Sequence, residues 1–262
     1  MNPKFDDIRP YFDSEISDAM QRIAESEYFS ALAGFVFPDK EVSEIQRMVR
    51  GFANTYDFQS QVMAVFNKQV IKQTAKELTC SAFEHLDPKK NYLFVSNHRD
   101  IVLDSSFLQF LLYTNGFRTT EITFGSNLMS SQLIIDIGRS NKMFKVMRGE
   151  SPRDFYKTSK HLSEYIRHAI VDRNESIWIA QRNGRTKDGN DSTDQGIIKM
   201  FGMSGGKDIV QSFDELNIVP IAISYQWEPC DFFSAIHEKS SVGTGLYCEA
   251  FGRSWVHFAA KN

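Results

Sequence analysis

From Tyr92 to Tyr225 the chain alternates short apolar runs with longer stretches whose apolar residues return at helical spacing. No other feature restricts the fold as much. A run of four or five apolar residues between turn formers suits a strand covered on both faces, and such strands separated by helices build a parallel sheet. The runs are YLFVS (92–96), 119–125, 143–147, SIWIA (176–180) and IVPIAISY (218–225). Helical spacing fits LDSSFLQFLLYTN, 127–137, 153–171, 196–203 and 206–215. The expected fold is α/β, a mostly parallel sheet flanked by helices, preceded by an N-terminal helical region.

That helical region is expected over 1–88. Ile16, Met20, Ile23 and Ala24 recur at helical spacing after Ser14, and Val42, Ile45, Met48, Val49 and Phe52 do so after Asp39, an expected N-cap. Val62, Val65, Phe66 and Val70 begin a third segment that reaches toward Leu78, and HLDPKKN (85–91) then breaks the pattern. The α/β domain is expected over 89–262. Its close, GLYCEAFGRSWVHFAAKN, reads as a hairpin, and its C-terminal limit stays open.

Composition removes several functional classes. Thirty basic and 33 acidic side chains leave a formal charge of −3, which argues against a nucleic-acid partner. Three scattered cysteines, Cys80, Cys230 and Cys248, form no CxxC pair and fit a reducing, intracellular setting. The start, MNPKFDDIRPYFDSE, lacks the basic and apolar segments of a signal peptide. No apolar run approaches the roughly 20 residues that span a bilayer. Twenty-two phenylalanines fit an aromatic-rich core.

Polar residues collect where the predicted strands end, the edge at which open α/β sheets bind ligands. VSNHRDIVLDS (95–105) places His98 just past a strand and before a helix. A carboxylate on one ring nitrogen would set the tautomer, leaving the other to take a hydroxyl proton. Asp104 and Asp100 both stand within reach in sequence. The loop after SIWIA holds Arg182, Asn183, Gly184, Arg185 and Lys187, a set of guanidinium forks and glycine backbone suited to an anion. MFKVMRGES (143–151) ends a strand in Arg148, and VPIAISYQWEP (219–229) reads as an apolar core strand.

In this order the four segments resemble the glycerolipid acyltransferases, the family of lysophosphatidic acid and glycerol-3-phosphate acyltransferases. The resemblance covers about 90–225. It matches Asn97, His98 and Asp104 to the first motif and Arg148 to the second. Asn183, Gly184 and Arg185 match the third, and Val219 to Ile223 the fourth. Two departures stand out. Five residues separate His98 from Asp104 where the family has four, and Asn183 stands where the family has glutamate.

The resemblance implies an O-acyltransferase in which His98, held by Asp104, deprotonates an acceptor hydroxyl. That hydroxyl then attacks an acyl thioester of coenzyme A or acyl carrier protein. Arg148, Asn183, Gly184, Arg185 and Lys187 are the implied substrate-binding residues. The acceptor would be a lysophospholipid, glycerol-3-phosphate or a related lysolipid. No cofactor or metal is implied beyond the acyl donor. Together with the apolar stretch SALAGFVFP (30–38), it implies a cytoplasmic protein seated peripherally on the inner face of a membrane.

Two rivals follow from the same residues. GMSGG (202–206) fits the G-x-S-x-G of serine hydrolases, with Ser204 followed by Asp214 or Asp231 and His237 or His257. That motif needs a strand before the serine, whereas IIKMF reads as helix. Asn183 and the long His98–Asp104 gap would also suit a weakly active or inactive lipid-binding module. DGNDSTD (188–194) alternates like a calcium loop, but Thr193 takes its glycine position and Lys199 its closing glutamate. His237-Glu238 lacks the second histidine of a zinc helix.

Overall fold

The structure, a computed structural model, describes residues 3–148, 151–186, 190–226 and 254–260; for 152–153 and 254–260 it describes the backbone. Among the described residues ten α-helices run in chain order as α1 (Asp13–Ala24), α2 (Phe29–Val36), α3 (Val42–Arg50), α4 (Thr55–Phe58), α5 (Ala64–Thr74), α6 (Leu103–Thr114), α7 (Gln132–Ser140), α8 (Pro152–Arg167), α9 (Gln195–Gly202) and α10 (Ile209–Asp214). The strands are β1 (Ala75–Ser81), β2 (Leu93–Ser96), β3 (Glu121–Gly125), β4 (Met143–Val146), β5 (Ile177–Ala180), β6 (Ile218–Tyr225) and β7 (Ser254–Ala260). The chain is α/β, with mostly parallel strand pairing, flanking helices and a helical N-terminal region. Two compact units divide it: residues 1–67 with 120–165, and residues 68–119 with 166–262.

In the first unit the helical periodicity becomes a core. Ile16, Met20, Ile23 and Ala24 of α1 face Ile45 and Val49 of α3, with Phe29, Phe52 and Phe58 closing the cluster and Leu133 and Ile137 of α7 against it. β3 and β4 pair in parallel, Ile122 opposite Met143. The α3 start differs from expectation: Glu41 is its N-cap and gives no side-chain bond, so Asp39 does not cap it. At α1, the Glu15 carboxylate accepts the Phe12 N–H at 2.8 Å and Arg9 Nη1 at 2.6 Å.

α1 is tied to α7 by a buried carboxylate. Asp136 accepts from Tyr11 Oη at 2.8 Å, from Arg22 Nε at 2.8 Å and Nη2 at 2.7 Å, and from Gln132 Nε2 at 3.0 Å. The bond to Asp136 holds the Arg22 guanidinium above its usual pKa.

Among the described residues of the second unit the strands lie in the order β1-β7-β6-β2-β5. All neighbours are parallel except β6 and β7. β2 and β5 are buried at every position, as their unbroken apolar runs require. β1 was not foreseen. The third helix stops at Thr74, and Ala75–Ser81 is extended where helix was expected as far as Leu78. Lys76 and Glu77 are good helix formers, but parallel bonds to β7, some 180 residues onward, override that preference. β7 pairs with β6 on its other side; the rest of the expected hairpin lies outside the described residues.

Because Ser96 of β2 is level with Ala180 of β5, the segments leaving these two carboxyl ends start side by side, while β6, level with Ser96 at Ile221, runs on to Tyr225. Those segments carry the polar residues singled out above.

The Asp136 tie carries a stability consequence. Asp136→Ala leaves Tyr11 and Arg22 without their shared acceptor; since the Arg22 side chain is 44% exposed and stays hydrated, the expected loss is about 2 kcal/mol, below the range for a fully buried pair. Urea unfolding of the variant against wild type measures it.

Candidate active site

The turn between β2 and α6 is built around one carboxylate. Asp104, in the first turn of α6, is wholly buried. Its Oδ2 lies 3.0 Å from His98 Nδ1 and accepts the N–H groups of Arg99 at 2.7 Å and Asp100 at 3.0 Å. Its Oδ1 accepts the Tyr225 hydroxyl of β6 at 2.8 Å. Burial pushes the Asp104 carboxyl above its ordinary pKa, while His98, the Asp100 N–H and Tyr225 pull the other way.

The extra residue between His98 and Asp104 is absorbed before the helix starts. Residues 97–102 are a turn, and α6 begins only at Leu103. The carboxylate that meets the imidazole is that of Asp104. Asp100 has another part: its Oδ1 accepts the N–H groups of Val102 at 2.8 Å and Leu103 at 2.7 Å, donors that the start of α6 would otherwise leave unmet.

His98 is 9% exposed, and its ring meets Trp178 of β5 edge-on, centroids 6.2 Å apart. The Trp178 indole N–H donates to Ser96 Oγ at 3.0 Å. Asp104 on Nδ1 favours the tautomer with the proton there, so Nε2 carries a free lone pair. Among the described residues Nε2 has no partner. A histidine held this way can take a proton from a hydroxyl presented to Nε2.

Asn97 locks the turn to the sheet. Its Oδ1 accepts the Ile223 N–H at 2.6 Å, and its Nδ2 donates to the Ile223 carbonyl at 2.8 Å. The loop after β5 holds the turn from the other side. Gln181 N donates to the Ser96 carbonyl at 2.7 Å, and Thr186 N to the His98 carbonyl at 2.9 Å. The His98 N–H itself donates to Asp191 Oδ2 at 2.8 Å.

The residues named from sequence therefore have different places. His98 and Asp104 are in contact. Asn183 is exposed, and Gly184 beside it has φ +77°, a left-handed turn suited to glycine. Arg185 is half-buried and donates to the Thr186 carbonyl at 3.3 Å; Arg182 donates to the Asn190 carbonyl at 3.2 Å. Lys187 and Asp188 lie outside the described residues. Arg148 belongs to the first unit, past the end of β4, where its N–H donates to Ser126 Oγ at 3.2 Å. Its guanidinium lies beside Gly125, where a Cβ would come within 3.4 Å of Nε; partial desolvation lowers its pKa. That guanidinium has no hydrogen-bond or ion-pair partner among the described residues.

Sequence reasoning passed over Asp191, Gln181, Thr186 and Tyr225. Gln181 and Thr186 had a signal, since they lie in the polar loop leaving a strand. Asp191 was visible only inside the rejected calcium pattern. Tyr225 had none, because its partner is 121 residues away.

The hydrolase geometry is missing at Ser204. That serine follows helix α9, not a strand, and its Oγ accepts from Arg167 Nε at 3.3 Å. Asp231 and His237 lie outside the described residues, as does the side chain of His257. Two cavities of about 410 and 350 Å³ open at the amino ends of the second unit's strands, beside Tyr92 and Asn217 and beside Lys89 and Arg118, away from His98.

The chain is therefore an α/β sheet protein in which a polar turn past a parallel strand sets a histidine on a buried aspartate. A family model for acyltransferases matches residues 77–224, and the chain belongs to that acyltransferase family. Among solved structures it is similar to the 1-acyl-sn-glycerophosphate (LPA) acyltransferase PlsC from Thermotoga maritima, at 11% identity and TM-score 0.46 over 94% of this chain and 82% of that one. A weaker likeness, TM-score 0.27 at 13% identity, is to chloroplast FtsY from Physcomitrella patens, over 83% of this chain and 71% of that one. A search of curated proteins gave no match.

Asn97→Ala leaves both backbone groups of Ile223 without that partner. The expected destabilisation is about 1–3 kcal/mol, read as a lower urea midpoint at unchanged slope.

Proposed function

We propose that this protein moves a fatty acyl group from an acyl thioester, of coenzyme A or acyl carrier protein, to a hydroxyl of a lysophospholipid, glycerol-3-phosphate or related lysolipid. The observation that carries the reading is the contact of His98 with the buried Asp104 at the carboxyl end of β2. Family membership supplies the reaction class. The four-motif resemblance supplies the glycerolipid acceptor.

His98 Nε2 takes the acceptor hydroxyl proton as the oxygen bonds to the thioester carbonyl carbon. The tetrahedral intermediate collapses, the carbon–sulfur bond breaks, and the departing thiolate takes its proton from the imidazolium. Asp104 stays ionised and stabilises that imidazolium. From the resemblance we assign Arg148, Asn183, Gly184, Arg185 and Lys187 to substrate binding, the arginines as the groups suited to the acceptor's phosphate or other anionic head. Arg148's lack of a protein counter-ion among the described residues suits that part.

Thiol release from acyl-CoA and acyl-ACP, with a panel of lysolipid and glycerol-phosphate acceptors, tests this. Wild type is expected to release thiol only with an acceptor, and a folded His98→Ala to be slower by about 10²–10⁴-fold. Full activity in His98→Ala would sink the reading. Loss on Ser204→Ala instead would favour a hydrolase.

The same reading places the protein on the cytoplasmic face of a membrane, where a lysolipid acceptor and the acylated product reside. α2 supports this. Phe29 and Ala33 face the core, while Leu32 and Phe35 are 40% and 37% exposed and Tyr28 before them 59%. No helix among the described residues is long and apolar enough to cross a membrane. Wild type is expected to sediment with phospholipid vesicles, and Leu32→Glu/Phe35→Glu to remain in the supernatant; equal sedimentation would remove α2 as the contact.

A further inference from the structure

We infer that Asp191 is a positioning residue for His98, a role that rests on the acyl-transfer reading above. Both backbone groups of His98 are held by the loop after β5. Its N–H donates to Asp191 Oδ2 at 2.8 Å, and its carbonyl accepts Thr186 N at 2.9 Å. Asp191 is held in turn from the start of that loop, for Gln181 Nε2 donates to the Asp191 carbonyl at 2.9 Å and lies 3.3 Å from its Oδ1. Thr193 Oγ1 donates to Gln181 Oε1 at 3.1 Å, and Asp194 N to the Gln181 carbonyl at 2.8 Å. The described residues of the loop, 181–186 and 190–194, are thus bonded to one another and hold His98 with one carboxylate and one amide.

The chemistry favours a carboxylate at this point. A backbone N–H bonded to an ionised oxygen is held more strongly than one bonded to a neutral acceptor. His98 has no regular structure of its own to fix it, since it lies between the end of β2 and the start of α6. Asp104 sets the ring at Nδ1, but the Cα from which that ring projects is set by Asp191 and Thr186. Asn183, at the position matched to the family's glutamate, is exposed; Asp191 supplies a carboxylate at the catalytic turn.

The experiment compares wild type, Asp191→Asn and Asp191→Ala for acyl transfer, together with amide hydrogen exchange at His98 in ¹⁵N-histidine-labelled protein. Asp191→Ala is expected to lose about 10- to 100-fold in kcat, the scale of a misplacement near 1 Å, with KM for the acyl donor within about twofold. Asp191→Asn, which keeps an acceptor oxygen, is expected to recover most of that loss. His98 N–H is expected to exchange slowly in wild type and fast in Asp191→Ala. Wild-type kcat in Asp191→Ala, or a loss confined to KM, would overturn the inference. So would fast His98 exchange in wild type, a result that needs no variant to fold. If wild type transfers no acyl group, the functional reading fails, and the His98 exchange rate alone decides whether Asp191 holds the turn.

Discussion

The second unit depends on a carboxylate that water does not reach. An isolated buried charge is costly, and it persists only where donors surround it. Asp104 gathers four: a ring nitrogen of His98, two consecutive backbone N–H groups and the hydroxyl of Tyr225. The four come from three levels of structure. The two N–H groups fold the local turn, the imidazole packs its ring nitrogen onto the carboxylate, and the tyrosine ties the turn to β6. The same requirement explains why the turn is irregular. A regular helix from His98 onward would point its N–H groups along the axis, away from the Asp104 carboxylate.

The neighbouring contacts follow from strand register. With Ser96 level with Ala180 and Ile221, the chain leaving β2 runs between the loop after β5 and the end of β6. Asn97 uses both ends of its amide on Ile223, and Asp191 closes the opposite side. A parallel sheet positions these segments without any of them being close in sequence. The first unit solves a similar problem separately: Asp136 collects Tyr11, Arg22 and Gln132, so that one buried charge joins α1 to α7.

Much of the fold was legible because burial imposes a period. β2 and β5 are covered on both faces and therefore read as unbroken apolar runs. α1 and α3 bury one stripe and read as residues three and four apart. β1 escaped because Lys76 and Glu77 carry a helical preference and only half of the strand is shielded. Its partner β7 stands at the far end of the chain, and no local pattern announces such a pairing. Asp39 misled for a related reason: a capping residue type near a helix start does not fix which residue the backbone uses, and Glu41 took that position.

The candidate site divides in the same way. His98 and Asp104 were legible as a motif, because a strand end, a histidine and a helix start lie within ten residues. The choice between Asp104 and Asp100 was not, since both carboxylates are near in sequence and only the turn's geometry gives one to the imidazole and the other to the first N–H groups of α6. Tyr225 and Asp191 could be found only in three dimensions, 121 and 93 residues from their partners. The sequence by itself determined which segments become strand, helix and polar turn, because solvent exclusion acts along a local period. Only the tertiary structure decided which side chains share a buried charge, because a charge out of water takes its partners by distance in space and not by order along the chain.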